Sequence, residues 1–452
     1  MSARPALHRS IGLLHATALV AGIIIGASIF VQPAEITREV PSVGGMLAVW
    51  GTAGLLSVAG ALICAELASA MPLTGGIYVF LRETLSPALA FLWGWAMFWS
   101  IHSGIIAAIS VVFARYVAYF VPLGDTGIRA AAIAAILLVS AVNYAGVKHG
   151  SRLQTAFTVV KVLAILLMIL AGFTLGSGAP DSAGGAGDAP GSVTADGVVR
   201  ALIAGLFAFG GWHMVTYSAG ETRDPERTIP RALAIGMAVV ILCYVLLNAA
   251  YLYVLPLERV MSSTRVAADA ADALLGSGGG ALMSSLVIFS TFGALGGLIL
   301  SGPRVYHAMA HDGTAFRWLG EVHPRFRTPH RAIALQAVWS CVLVATGTYR
   351  ALFTRVIHTE WIFFGLLAVG LFLARRRAGY RPAYRVWGYP VVPAIFLAAS
   401  MVIVVNQVVT DPRESAVGLG FVAIGLPVYA LWARTRPRTS AGVPTHAGDR
   451  LP

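Results

Sequence analysis

The chain has 452 residues, of which 57% are hydrophobic and only 12% charged, and its formal net charge is +12. Such a composition excludes an ordinary water-soluble domain, whose charged share is about twice as large. It does not point to nucleic acid either, because the basic residues fall in alternate connections between apolar runs, as the cytoplasmic loops of membrane proteins do.

In chain order, apolar runs long enough to span a bilayer, about 20 residues each, can be drawn about twelve times between Ile11 and Trp432. The first run follows Arg4, His8 and Arg9, outlasts a signal-peptide core and lacks a small-residue cleavage site, so it is expected to stay as the first transmembrane helix. Segments 1 to 5 are expected at Ile11–Val31, Gly45–Met71, Leu89–Phe120, Ile128–Gly146 and Leu153–Phe173. Between segments 2 and 3, residues 72–80 are too short to span and too polar for a core, which predicts a cytoplasmic surface loop or short helix. The connection at 176–197 carries Asp181, Asp188 and Asp196 with no Lys or Arg, and its Gly, Ala, Ser and Pro content predicts a flexible outer loop. Segments 6 to 10 follow at Val198–Ala219, Ala232–Val254, Ala281–Met309, Ala332–Thr346 and Leu352–Ala374, and segments 11 and 12 at Val391–Val409 and Val417–Trp432.

Five is odd, so a second set of five enters the membrane from the opposite side, as an inverted repeat requires. The expected organisation is a tail at 1–10, a first repeat at 11–175, the outer loop at 176–197, a second repeat at 198–375, two further helices at 376–433 and a tail at 434–452. Arginines 304, 317, 325, 327 and 331 in one loop, 375, 376, 377, 381 and 385 in another, and 434, 436 and 438 at the end place both termini in the cytoplasm. High Ala, Gly and Arg suggest a GC-rich bacterial host and an inner membrane. Cys64, Cys243 and Cys341 all fall in expected spans, which argues against a disulfide framework and a zinc site, and neither a nucleophile elbow nor a phosphate-binding loop of matching context is present. An enzyme and a cofactor are therefore not expected.

Segment 1 carries Gly26, Ala27 and Ser28 at its middle, and segment 6 carries Gly210 and Gly211. No water is present at that depth to satisfy freed backbone groups, so small residues clustered there suggest deliberate interruptions. A pair of interrupted helices at matching places in two halves marks the binding site of a secondary transporter, against the plainer reading of close helix packing.

Several motifs then carry a family likeness. Gly-Ala-Ser-Ile-Phe at 26–30, Ala-Glu-Leu at 65–67 with Pro-Leu-Thr-Gly-Gly-Ile-Tyr at 72–78, Phe-Ala-Phe-Gly-Gly-Trp at 207–212, Glu-Thr-Arg-Asp-Pro-Glu-Arg-Thr-Ile-Pro at 221–230, and Phe-Gly-Ala at 292–294 with Ser-Gly-Pro-Arg at 301–304 resemble the amino acid–polyamine–organocation superfamily. Lys161 on segment 5 points to its L-type amino acid transporter branch. The resemblance implies an all-α polytopic fold of about twelve helices, a five-plus-five inverted repeat with discontinuous helices 1 and 6. It also implies alternating-access transport of amino acids, by exchange and without sodium. The branch's Gly-Ser-Gly is replaced here by Gly26-Ala27-Ser28, and its usual Asn by His213. Human members pair with a heavy chain through an outer cysteine, which this chain lacks, so no disulfide-linked partner is expected.

A zwitterionic amino acid in a low-dielectric bundle needs partners for both charges. Free N–H groups at Ala27, Ser28 and Ile29, where segment 1 restarts, form a positive helix end suited to a carboxylate. Carbonyls at Ile24 and in the second break, near Phe207, Ala208, Phe209 and Gly210, can accept from the ammonium. The resemblance implies that these positions with Gly26 bind substrate and that Phe207 lies over it as a lid. Candidates for side-chain selectivity are Ile105, Ile109 and Ser110 on segment 3 and Ser290, Thr291 and Ala294 on segment 8. Trp93, Trp95 and Trp99 read as structural or interfacial anchors. Glu66 and Glu221, near Arg223 and Arg227, read as an inner salt-bridge network.

Lys161, His213 with Trp212, and Glu360 are the coupling or gating candidates. Lys161 lies about 12 Å along its helix from the inner start, and the resemblance implies that its ammonium replaces sodium by bonding carbonyls around Gly22 and Ile23 and a segment 8 hydroxyl such as Ser290. His213 reads equally as a packing residue. Glu360 is either a functional intramembrane carboxylate or a surface ion pair with Arg355. The expected activity is sodium-independent exchange of neutral L-amino acids. The alternatives are proton-coupled transport of cationic amino acids or polyamines, with Glu360 meeting the second ammonium, and a sensor that binds amino acids without moving them.

Overall fold

The structure, a computed structural model, describes residues 9, 11–145, 150–176, 178, 193–276, 278–326, 328–410 and 412–435. Most of both tails, most of the 176–197 connection with Asp181 and Asp188, and Lys148, His149 and Arg327 lie outside the described residues. The chain is nearly all helical, and among the described residues ten helices are long and apolar enough to cross a membrane, with two shorter apolar helices, Leu13–Ile24 and His330–Thr346. Together they give the expected fold of about twelve spans. Span 1 is Leu13–Ile24 and, beyond a break, Gln32–Glu39; spans 2 to 5 are Val43–Ala70, Pro87–Val117, Asp125–Tyr144 and Gly150–Leu175. Span 6 is Ala195–Ala208 with the continuation Trp212–Glu221, and spans 7 to 12 are Pro225–Val254, Gly279–His311, His330–Thr346, Tyr349–Arg375, Val391–Thr410 and Pro412–Thr435.

Local chemistry explains where these elements begin. Ser42, Thr194 and Thr348 cap spans 2, 6 and 10 by accepting from the amides of Gly45, Gly197 and Ala351. Pro33 opens the second half of span 1, where its missing N–H would be unpaired in any case, and Glu35 in that first turn faces the positive end of the helix. Within span 3 a π-turn at Met97–Ile101 shifts the register of the helix.

Spans 3, 6 and 10 form the centre: 83% of the most apolar stretch of span 3 is buried, against 11% for span 12, which offers its side chains to lipid. Trp93 belongs to that centre, fully buried against Phe363 at 5.4 Å between ring centroids, which makes it the structural of the two kinds of anchor expected. One expectation needs correction. Residues 77–84 are a helix, as one reading allowed, but Ile77, Tyr78, Val79, Phe80 and Leu81 are all buried, so the segment is part of the core and not a surface element. The turn that carries it inward uses Gly76 at φ 51°, where a Cβ would lie 2.3 Å from the Thr216 hydroxyl, so only glycine fits.

The two ends of the bundle are closed by different means. At one end, Ile11 and Thr222 form an isolated parallel bridge, with Ile11 N–H donating to Glu221 O at 3.0 Å and Arg223 N–H to Ile11 O at 2.9 Å. Beside it, buried Glu66 accepts from Arg375 at 2.8 and 2.5 Å and from the Val386 amide at 2.6 Å. Glu221 pairs with Arg304 of span 8 at 3.1 Å, in place of the neighbouring Arg223 and Arg227. At the other end, Arg350 of span 10 binds Glu35 at 2.7 Å and Glu39 at 2.6 Å, and Arg38 holds Glu35 at 2.9 Å while donating to Met261 O at 2.7 Å.

Removing one partner of a buried ion pair leaves an uncompensated charge, at about 3–5 kcal/mol, whereas an apolar pair of similar size is often tolerated. Arg375→Met should therefore lower the thermal midpoint of purified protein sharply, and the double variant Glu66→Met/Arg375→Met should recover much of the loss. Equal loss in both would show that Glu66 needs the Val386 amide more than it needs Arg375.

Candidate functional site

Both expected interruptions are present, and they face each other. In span 1 the helix ends at Ile24, Ile25 turns out of helical geometry at ψ 71°, and a single turn at Ser28–Phe30 precedes the restart at Gln32. The amides of Ala27, Ser28 and Ile29 make no hydrogen bond among the described residues, which leaves three adjacent donors. In span 6 the helix ends at Ala208, and the backbone reverses at Gly211, whose φ of 101° is open to glycine alone. The left-handed residue is thus Gly211; Gly210 keeps its place on the wall of the cavity.

The cavity between the breaks is lined by Ile24, Gly26, Ser28, Phe207 and Gly210 of the expected binding residues, by Glu360, and by Ile105 and Ile109 of the selectivity candidates. It is tightly closed, leaving about 20 Å³ open to the centre of a water molecule, room for about one. The remaining expected residues lie around it. Ala27 and Ile29 are buried and offer backbone only. Ala208 gives its carbonyl to the Tyr244 hydroxyl at 3.2 Å, and Phe209 points away, packed against Trp50 and Tyr244 with centroids at 5.9 and 5.0 Å. Trp212 stacks on Phe364 at 4.8 Å. Ser110 and Thr291 turn their hydroxyls onto their own helices, to Ala107 O and Val287 O, and with Ser290 and Ala294 they are not on the cavity wall.

Several contacts carry no signal in the sequence. The Tyr244 hydroxyl donates to Ile24 O at 2.8 Å, and the Gly26 amide reaches the same oxygen at 2.6 Å. Both lone pairs of Ile24 O are therefore in use, so this carbonyl is not the orphan acceptor expected for an ammonium. The same hydroxyl lies 3.2 Å from Ala208 O, so its single proton is shared between the two breaks. Gly211, Met214, Leu298, Val356 and Ile357 complete an otherwise apolar wall. Phe207 lies against Phe353, with ring centroids at 5.5 Å, between the cavity and the Glu35–Arg350 end.

Lys161 is buried, and its ammonium donates to Gly22 O and Ile25 O, each at 3.3 Å, which places it on the last turn of the first half-helix. Among the described residues Ser290 has no hydrogen-bond partner, so the expected bridge from the lysine to its hydroxyl is not formed. Glu360 is buried in mid-helix and not at a surface, with His213 Nε2 at 3.6 Å from its Oε1.

Two broken helices crossing at a closed cavity inside a multi-pass bundle define a membrane transporter. A family model described as amino acid permease matches residues 11–430, and the chain belongs to that family. It is 32% identical over 427 residues to the serine/threonine exchanger SteT of Bacillus subtilis, covering 94% of this chain and 96% of that protein. Human b(0,+)-type amino acid transporter 1 is 29% identical over 439 residues, covering 94% of this chain and 88% of its own. The human cystine/glutamate transporter is 29% identical over 433 residues, covering 94% and 85%. The protein is an amino acid transporter of the membrane and not an enzyme.

Proposed function

We propose that the protein exchanges neutral L-amino acids across the membrane by alternating access, without sodium, in two inverted five-helix halves with both termini in the cytoplasm. The observation that carries this reading is the Lys161 ammonium bonded to Gly22 O and Ile25 O at the break of span 1. A cation held there supplies the charge that would otherwise be asked of a bound metal ion, and fixes the tilt of the half-helix that must swing. The substrate carboxylate goes to the amides of Ala27, Ser28 and Ile29, and the ammonium to carbonyls of the second break. The side chain faces Ile105, Ile109, Val356 and Leu298, an apolar wall that suits an uncharged group. The relative SteT is a serine/threonine exchanger, which lends support to the mode, and the basic loops lend it to a bacterial inner membrane orientation.

A proton-coupled carrier of cationic amino acids or polyamines is the second reading, favoured by Glu360 on the cavity wall. Proteoliposomes separate the two. Labelled alanine should enter only when the lumen holds amino acid, at the same rate in sodium and choline buffers, and unlabelled neutral amino acids should compete better than lysine, arginine or putrescine. Dependence on a sodium gradient, or preference for putrescine, would replace the proposal; binding without entry would make the protein a sensor.

A further inference from the structure

A buried cluster behind the cavity is not used by backbone recognition of the substrate. Among the described residues, Glu360 Oε1 and both ring nitrogens of His213 are buried without a hydrogen bond, while the Trp93 indole and the Tyr217 hydroxyl beside them pair with each other. Buried polar groups are nearly always paired, so a carboxylate and an imidazole orphaned side by side point to something that comes and goes. His213 is fully enclosed, with Trp93 edge-on at 5.9 Å, Tyr217 at 5.6 Å and Phe364 at 5.3 Å between ring centroids. Its neighbour Glu360 is on the cavity wall. The carboxylate thus touches the substrate space on one side and an imidazole on the other.

Charge conservation sets what this pair can do. With one proton between them, Glu360 and His213 are neutral as a unit, whichever atom holds it. Without it they leave a lone negative charge at bilayer depth, which is costly unless a cation is beside it. The other ionisable groups packed around the pair do not supply that cation. His102 of span 3 bonds Leu298 O at 2.7 Å, His358 turns towards the Ser415 hydroxyl at 3.4 Å, and Cys64, Tyr217 and Tyr306 carry no positive charge. Lys161 is engaged by the carbonyls of span 1.

We propose that Glu360 and His213 form a proton-exchange site in the cavity wall, holding one proton with a neutral substrate and releasing it when the side-chain ammonium of a cationic amino acid enters. The site rests on the exchanger reading and extends its substrates to a second class. The loaded carrier then has the same total charge with either substrate. In exchange of outer lysine for inner alanine, lysine enters on the deprotonated pair and its proton goes to the outer water. After lysine leaves, the pair takes a proton from the lumen, and that proton returns outward with alanine. One positive charge enters and one leaves, so exchange between the two classes is electrically silent.

Binding to purified full-length protein tests this without transport. Between pH 6 and 8 the apparent Kd for lysine should fall by up to about tenfold per pH unit, as one displaced proton requires, while the Kd for alanine stays flat. In Glu360→Gln the pH dependence for lysine should disappear, and His213→Asn should change its slope or midpoint. Lysine binding that is absent, or as flat as that of alanine, overturns the proposal. In proteoliposomes, outer lysine against inner alanine should alkalinise the lumen, and the rate should not respond to a potential set with potassium and valinomycin. A potential-dependent rate with no luminal alkalinisation also overturns it. Alanine–alanine exchange in the same vesicles reports separately on the exchanger reading.

Discussion

Lys161→Ala should lose most exchange activity, with a rate at least about tenfold below that of the unaltered protein, while affinity for substrate added from the Glu35–Arg350 side changes much less. The substitution leaves the carbonyls of Gly22 and Ile25 buried without their donor, at about 1–3 kcal/mol each, and about 1.4 kcal/mol is tenfold. Neither carbonyl belongs to the cavity wall, so the effect falls on the movement of the half-helix before it falls on recognition. Rates from proteoliposomes, set against Kd from binding to purified protein, separate the two. Unchanged exchange would make Lys161 a lysine that only reaches back to the headgroups, and the proposed independence of sodium would lose its support.

Gly211→Ala should be nearly as severe, through geometry and not charge. A side chain at φ 101° is strained at about 1–2 kcal/mol or more, and the added Cβ would lie 2.6 Å from Ile23 Cγ2 across the site. Ile23 is itself on the cavity wall, so the clash pushes the two breaks apart and should weaken substrate binding by roughly tenfold or more. Ile23→Ala in the same chain relieves the steric part alone, so a partial rescue is expected. Gly26→Ala is the control, since its Cβ would meet only ordinary contacts, the nearest at 3.6 Å, and it should bind nearly normally. Normal binding by Gly211→Ala would show that the reversal of span 6 is not part of the site.

The number of spans, the two interruptions and the depth of Lys161 were legible because each depends on local composition: apolar length, small residues at mid-depth, a lone charge in a hydrophobic run. What could not be read depends on which faces meet. Tyr244 is one aromatic among many in span 7, and nothing local says that its hydroxyl takes up the Ile24 carbonyl assigned to the substrate. Phe209 and Phe207 are two apart, so on a helix they point to different sides, yet the motif gives no means of choosing which one faces the cavity. The segment at 77–84 misled for a related reason. The two glycines before it, Gly75 and Gly76, and its short length resemble a surface turn, while the side chains that follow are apolar and the turn carries them into the core. His213 and Glu360 are far apart in sequence and adjacent in space, so each could be noticed singly but not as a pair.

The bridge between Ile11 and Thr222 is made of backbone atoms, whereas the opposite end is held by Glu35, Glu39, Arg38 and Arg350. Charged side chains near water are screened by dissolved ions, and amide hydrogen bonds are not. The two doors of the pathway therefore answer to different weather. Ionic strength loosens the exposed pairs of one door, and at the other it reaches Glu221–Arg304 but spares the backbone bridge and the buried carboxylate of Glu66, so brine on a single face of the membrane acts as a bias on the cycle. Substitution can retune the charged door over generations, while the peptide latch is nearly indifferent to which residues carry it.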